Sequence, residues 1–123
     1  MTLTFEDIDS LGEAAISRFD ARVAQVDPSL RNEFDAEVAR LESQLDQLYA
    51  LTARMTRNEP DVQKTAELWA RLVQICDAFA HRVYALSQEH PVCRASYDHM
   101  LDLRCAAEER RALHSARLIN ELW

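Results

Sequence analysis

"NEPDVQKTAELWARLVQICDAFAHRVYALSQEHPVCR", residues 58–94, runs from one proline-marked boundary to the next. Between them Thr65, Trp69, Leu72, Cys76, Phe79, Val83 and Leu86 follow alternating steps of four and three. That is the period at which one face of an α-helix meets a neighbour. Proline suits the first turn of a helix, where its missing N–H costs nothing, and it disfavours helix in the residue before it. The stretch is therefore predicted to be one long helix beginning near Pro60, followed at once by another beginning at Pro91.

The same signal recurs upstream, where Pro28 in "VDPSLR" opens a segment carrying Phe34, Val38, Leu41, Leu45, Leu48, Thr52 and Met55 in the same rhythm. The first segment offers Phe5, Ile8, Gly12, Ala15, Phe19 and Val26, with Leu11, Ile16 and Val23 widening the stripe. Four helices are expected, at about 4–26, 28–57, 60–88 and 91–122. Thr4, Asp27 and Asn58 are their candidate N-caps. Short links oblige consecutive helices to run antiparallel. The fold class is all-α: one domain over 1–123, an antiparallel up-down-up-down four-helix bundle with coiled-coil-like heptad seams. A second apolar strip on the third helix, Val62, Ala66, Val73, Ala80 and Tyr84, faces either another helix of the bundle or a second copy of the chain.

Composition narrows the function. The chain of 123 residues has a net charge of −7 and one glycine. The acidic balance disfavours nucleic acid as a partner, since lysine and arginine supply most phosphate affinity. Residues 1–59 hold 6 basic and 12 acidic side chains, residues 60–123 hold 8 and 9; the acidic half reads first as a solvated surface, with a basic partner as the alternative. With Gly12 as the sole glycine, neither a phosphate loop, a dinucleotide-binding turn nor a nucleophile elbow can be built. No apolar run reaches the length of a membrane span, and "MTLTFEDIDS" lacks the regions of a signal peptide. Three cysteines without paired spacing suit a reducing compartment. The expected setting is cytoplasmic, with no membrane partner.

"SQEHPVCRASYDHM", residues 87–100, concentrates His90, Cys93, Asp98 and His99 and invites a metal reading. On a helical wheel these residues scatter rather than converge, and no Glu-x-x-His pair is present. Asp77 and His81, four apart, could hold an adventitious ion; Arg94 and Asp98 read as an i, i+4 pair. No metal and no cofactor are expected. Cys76 and Cys93 fall on seams, where a thiol is usually packing, and Cys105 is more exposed.

The fourth helix departs from the pattern. Its rhythm runs Cys93, Tyr97, Met100, Arg104, Ala107, Arg111, His114, Leu118, Leu122, so Arg104, Arg111 and His114 are expected to point inward. Glu108 stands between the arginines and can complete an Arg–Glu–Arg ladder. Glu37 and Arg22 could join it. Three accounts compete: a structural network fixing register, an interface with another chain, and a pocket for a small anion held by arginine forks. The expectation is a non-enzymatic protein-interaction module, such as an adaptor, a chaperone-like binder or an assembly component, presenting helix faces to a protein partner or to a second copy as a homodimer. Trp69, Tyr84 and Trp123 are its candidate apolar anchors, although Trp69, on the seam of the third helix, reads first as core. The rival reading is a bundle that binds metal or a small anion through His114 with Arg104 and Arg111.

Overall fold

A computed structural model describes the backbone of residues 5–122 apart from residue 28, and the side chains of these apart from residues 5, 31, 118 and 120–122. It contains four α-helices, α1 (Phe5–Gln25), α2 (Arg31–Arg57), α3 (Val62–Glu89) and α4 (Pro91–Leu122), and no strand among the described residues. This is the four-helix bundle that the periodicity predicts.

The boundaries obey local chemistry, in places differently from expectation. Pro91 is the first residue of α4, directly after the extended His90, the backbone a residue before proline prefers. Pro60 instead stands ahead of the N-cap Asp61, whose Oδ1 accepts hydrogen bonds from the backbone N–H of Gln63 (3.0 Å) and Lys64 (3.2 Å). Asn58 therefore does not cap α3; it closes the C-terminus of α2. Asp27 does not cap α2 either. Its Oδ1 accepts from the backbone and hydroxyl of Ser29 at 3.0 and 2.9 Å, a tight turn that delays α2 to Arg31. Those two bonds hold the Asp27 carboxyl below the usual value. Thr4 and Pro28 lie outside the described residues.

Consecutive helices alternate in direction, and cross-helix pairs fix who neighbours whom. Asp9 pairs with Arg71 and Asp20 with Arg82, a constant offset that sets α1 parallel to α3. Asp35 with Cys93 and Asp46 with His99 set α2 parallel to α4. Asp77 with Arg104 and Tyr84 with Tyr97 set α3 and α4 as an antiparallel hairpin, and this pair shares the most extensive contact. Around the bundle the order is α1, α2, α4, α3, with α2 also reaching α3 across the centre, and α1 and α4 do not meet among the described residues.

The seams become the core. Val38, Leu41, Leu45, Leu48 and Thr52 of α2 and Thr65, Trp69, Leu72, Cys76, Phe79 and Val83 of α3 are buried, joined by Ile8, Ala15 and Phe19 of α1 and by Cys93, Met100 and Ala107 of α4. Each large apolar side chain so buried contributes roughly 1.5–3 kcal/mol. The buried Thr52 and Thr56 hydroxyls are satisfied by donating to the carbonyls of Leu48 and Thr52, both at 2.9 Å. The second strip of α3 faces α4: Ala66, Val73 and Ala80 are buried on the side that carries Asp77 and Tyr84 to their α4 partners. Gly12 lets α1 approach α3, since a Cβ there would stand 3.3 Å from Ile75 Cγ2.

Candidate functional site

The arginine row of α4 is brought to the surface edge of the α3–α4 hairpin. Arg104 Nε donates to Asp77 Oδ1 of α3 at 2.5 Å. Glu108 takes Arg111 in a two-pronged pair, Nε to Oε2 at 2.9 Å and Nη2 to Oε1 at 2.5 Å. The expected ladder is thus two pairs, with Asp77 rather than Glu108 as the hydrogen-bonded partner of Arg104. The side chains are only partly covered, at 36–40% exposure for Arg104, Glu108 and Arg111, so the inward orientation predicted for the arginines is corrected to an edge position. Arg111's bonds hold the Glu108 carboxyl below its usual value, and Asp77 raises Arg104.

Glu37 does not join this row. It lines a shallow groove with Arg22, Gln25, Val26, Glu33 and Ala36 on the α1 side of α2, away from α4. His114 is half-buried, and its Nδ1 is sealed from solvent without a hydrogen-bond partner. Burial lowers the pKa of this imidazole from its ordinary value, helped by Arg117 and Arg110.

Of the aromatic candidates, Trp69 is core rather than surface anchor: it is fully buried, with Tyr49 edge-on at 5.3 Å and the Arg110 guanidinium 5.1 Å from its ring centroid. Tyr84 is exposed and leans on Tyr97 at 5.6 Å. Trp123 lies outside the described residues.

The histidine and cysteine candidates are dispersed. His81 is exposed, His90 is buried against Phe34 at 5.7 Å, and His99 meets Asp46 across α2 and α4 at 2.7 Å. That Asp46 bond raises the His99 pKa. Arg94 and Asp98 pair at 3.3 Å. Burial pushes the Cys76 thiol up to about 12, with Asp77 adding to the effect; Cys93 is likewise pushed up to about 12 by burial, and its thiol donates to Asp35 at 3.3 Å. Cys105 is exposed. No group of three metal-ligating side chains comes together among the described residues.

One feature absent from the sequence reading is a groove of about 420 Å³ between α1 and α2. Leu11, Ala15, Leu48 and Leu51 make its floor, and Gln44, Gln47 and Arg54 its rim. Leu11, expected to widen the core stripe, is instead 48% exposed here, because α1 packs on two helices and its outer flank has no third. The signal that could have found it is the width of the first helix's stripe, broader than two neighbours can cover.

Fold and site together define a small antiparallel helical bundle with charge pairs between and along its helices at the edges and an apolar groove between α1 and α2. No family model, curated protein or solved structure matches the chain.

Proposed function

We propose that this bundle is a non-catalytic protein-interaction module of the cytoplasm, an adaptor, chaperone-like binder or assembly component, that receives an amphipathic helix of a partner protein in the α1–α2 groove. The observation that carries the reading is an apolar floor of the half-exposed Leu11 with Ala15, Leu48 and Leu51, and amide and guanidinium groups at the rim. Partner helices use such a floor by inserting side chains at i, i+3 or i+4, and i+7, while polar rim groups orient them. Arg104 and Arg111 are each already engaged by a carboxylate, which supports the interaction reading over an anion-binding one. No helix among the described residues is long and apolar enough to cross a membrane.

The test is selection of a displayed library of amphipathic helices on the intact protein, with Leu11→Glu as the counter-target. Leu11 contributes little to the core, so the variant should keep its circular dichroism spectrum. Sequences with apolar anchors at helical spacing should enrich on the wild type and be lost on Leu11→Glu. Enrichment no better than on the variant would refute the groove as the binding surface.

A further inference from the structure

Among the described residues, two buried side-chain nitrogens have no hydrogen-bond partner, Trp69 Nε1 and His114 Nδ1. Such orphans are rare because burial removes their water without replacing it. Here they are chemically complementary: an indole N–H can only donate, and an imidazole nitrogen without its proton can only accept.

They also lie at one level of the same hairpin. The antiparallel register of α3 and α4 is set by Asp77 with Arg104 and Tyr84 with Tyr97, and continuing it brings Trp69 to the turn of α4 that holds Arg110, whose guanidinium lies over the indole. His114 follows Arg110 by one turn, on the same side of the helix. It is moreover the next member of the sevenfold series Cys93, Met100, Ala107, each of which is fully buried. Trp69 itself is fully buried, with Tyr49 against its ring.

We propose that Trp69 Nε1–H and Nδ1 of neutral His114 satisfy each other, closing directly or sharing one water, and that the pair is a proton-sensitive latch holding the last turns of α4 against α3. Burial, Arg117 and Arg110 all favour the neutral imidazole, the form able to accept. Of the neighbouring helices, α1 does not meet α4 among the described residues, α2 brings the ring of Tyr49 against Trp69, and α3 carries the exposed Glu67 opposite His114 by the same register; the charges that act on the imidazole are those of Arg117 and Arg110 on α4 itself. Protonation turns Nδ1 into a second donor facing the indole N–H and sets an imidazolium beside two guanidinium groups. Acceptance is lost and repulsion added in one step, so mild acid releases the end of α4.

The test uses the full chain, labelled with nitrogen-15 and carrying Trp123→Phe so that one indole remains. At pH 7.5 the His114 spectrum should show the Nε2–H tautomer with Nδ1 unprotonated, and the indole proton should exchange slowly. On acidification the His114 resonances and the Trp69 indole should shift with one midpoint, and indole exchange should accelerate. His114→Gln, whose side-chain oxygen can still accept, should keep the indole protected while removing its pH response. A His114 Nδ1–H tautomer at pH 7.5, an indole that exchanges freely there, or an indole indifferent to His114 titration would each overturn the latch. These readouts come from the wild-type pair, so they stand even where His114→Gln folds poorly.

Discussion

Replacing Gly12 tests whether α1 is seated on α3 as described. Gly12→Ala adds a methyl whose nearest neighbours are Ile75 Cγ2 at 3.3 Å and Cδ1 and Cγ1 at 3.4 Å. In favour of the variant, alanine in a helix interior is better than glycine by about 1 kcal/mol, and burying a methyl adds up to ~0.8 kcal/mol. Against it, Ile75 must yield by a few tenths of an ångström, at about 0.5–1.5 kcal/mol if it leaves its rotamer well. The atoms in the way are side chain rather than backbone, and Gly12 and Ile75 both border an open groove of about 270 Å³ into which Ile75 can shift. The first terms win narrowly, and Gly12→Ala should stabilise by about 0.5 kcal/mol, or ~2 °C in melting temperature for a chain of this size. Gly12→Leu cannot be absorbed this way and should destabilise by about 1–3 kcal/mol through overpacking. Denaturant melts of both variants decide the matter. An alanine variant less stable by more than ~1 kcal/mol would show the Ile75 contact to be rigid, and a neutral leucine variant would show that α1 does not rest there at all.

His99 and His114 should pull in opposite directions between neutral and mildly acidic pH. The folded-state pKa of His99 lies above its ordinary value of 6.5, so its contribution is full below about 6.5 and is lost as pH rises above it; that of His114 lies below 6.5, so stability is lost as pH falls through 6.5 toward the folded value. His99→Gln should therefore lose stability at pH 6 but little at pH 8.5 in parallel thermal melts; equal losses at both would refute the Asp46 pairing as the cause. Iodoacetamide at pH 8 should add a single label, at Cys105, because Cys76 and Cys93 are buried thiols pushed up to about 12; mass spectrometry finding three labels at similar rates would contradict the packing. Glu108→Ala and Asp77→Ala should be close to additive in stability, since they hydrogen-bond different arginines and Arg104 acts on Glu108 through its charge alone; a strongly non-additive double mutant would restore the single ladder.

The helices and their buried faces were legible because a heptad run reports burial directly: from Val38 to Thr52 and from Thr65 to Val83 each predicted seam position is buried. Starts and stops were less so. Asp61 and Asn58 are both good capping residues three apart, and only the two backbone bonds to Asp61 show which one caps α3. The order of helices around the bundle was not legible, because a stripe says that a face is covered and not by which helix. Glu37 falls on the α1 side because α1 and α4 stand diagonally in the bundle, an arrangement that no local spacing in α2 encodes. The partner of Arg104 could have been found. With a one-residue link at His90, an antiparallel hairpin places residue 104 near residue 77, and Asp77 lies within about 40° of the strip through Val73 and Ala80. His99 with Asp46 joins helices distant in sequence, and no local spacing foretells it.

The odd charges of α4 follow from this arrangement. Its rhythm splits into two sevenfold series, Cys93, Met100, Ala107 and Tyr97, Arg104, Arg111. The first is fully buried between α2 and α3; the second is half-buried on the α3 side. In a bundle whose fourth helix met three others both series would be interior, but α4 lacks α1 as a neighbour, so one series is an edge and tolerates charge. The consequence is an asymmetry between two positions four residues apart. Arg104→Met removes a guanidinium already shared with solvent and leaves Asp77 free to be hydrated, so the protein should remain folded with little change in its melt. Met100→Arg puts a cation where exposure is 0%, and an unpaired buried charge costs several kcal/mol even after the structure relaxes. That is a large share of the roughly 5–15 kcal/mol by which a domain is stable. Urea denaturation should show the second variant largely unfolded or shifted to a far lower midpoint while the first stays near wild type; comparable losses from the two would mean that both series face the interior and that the arginines of α4 are core residues.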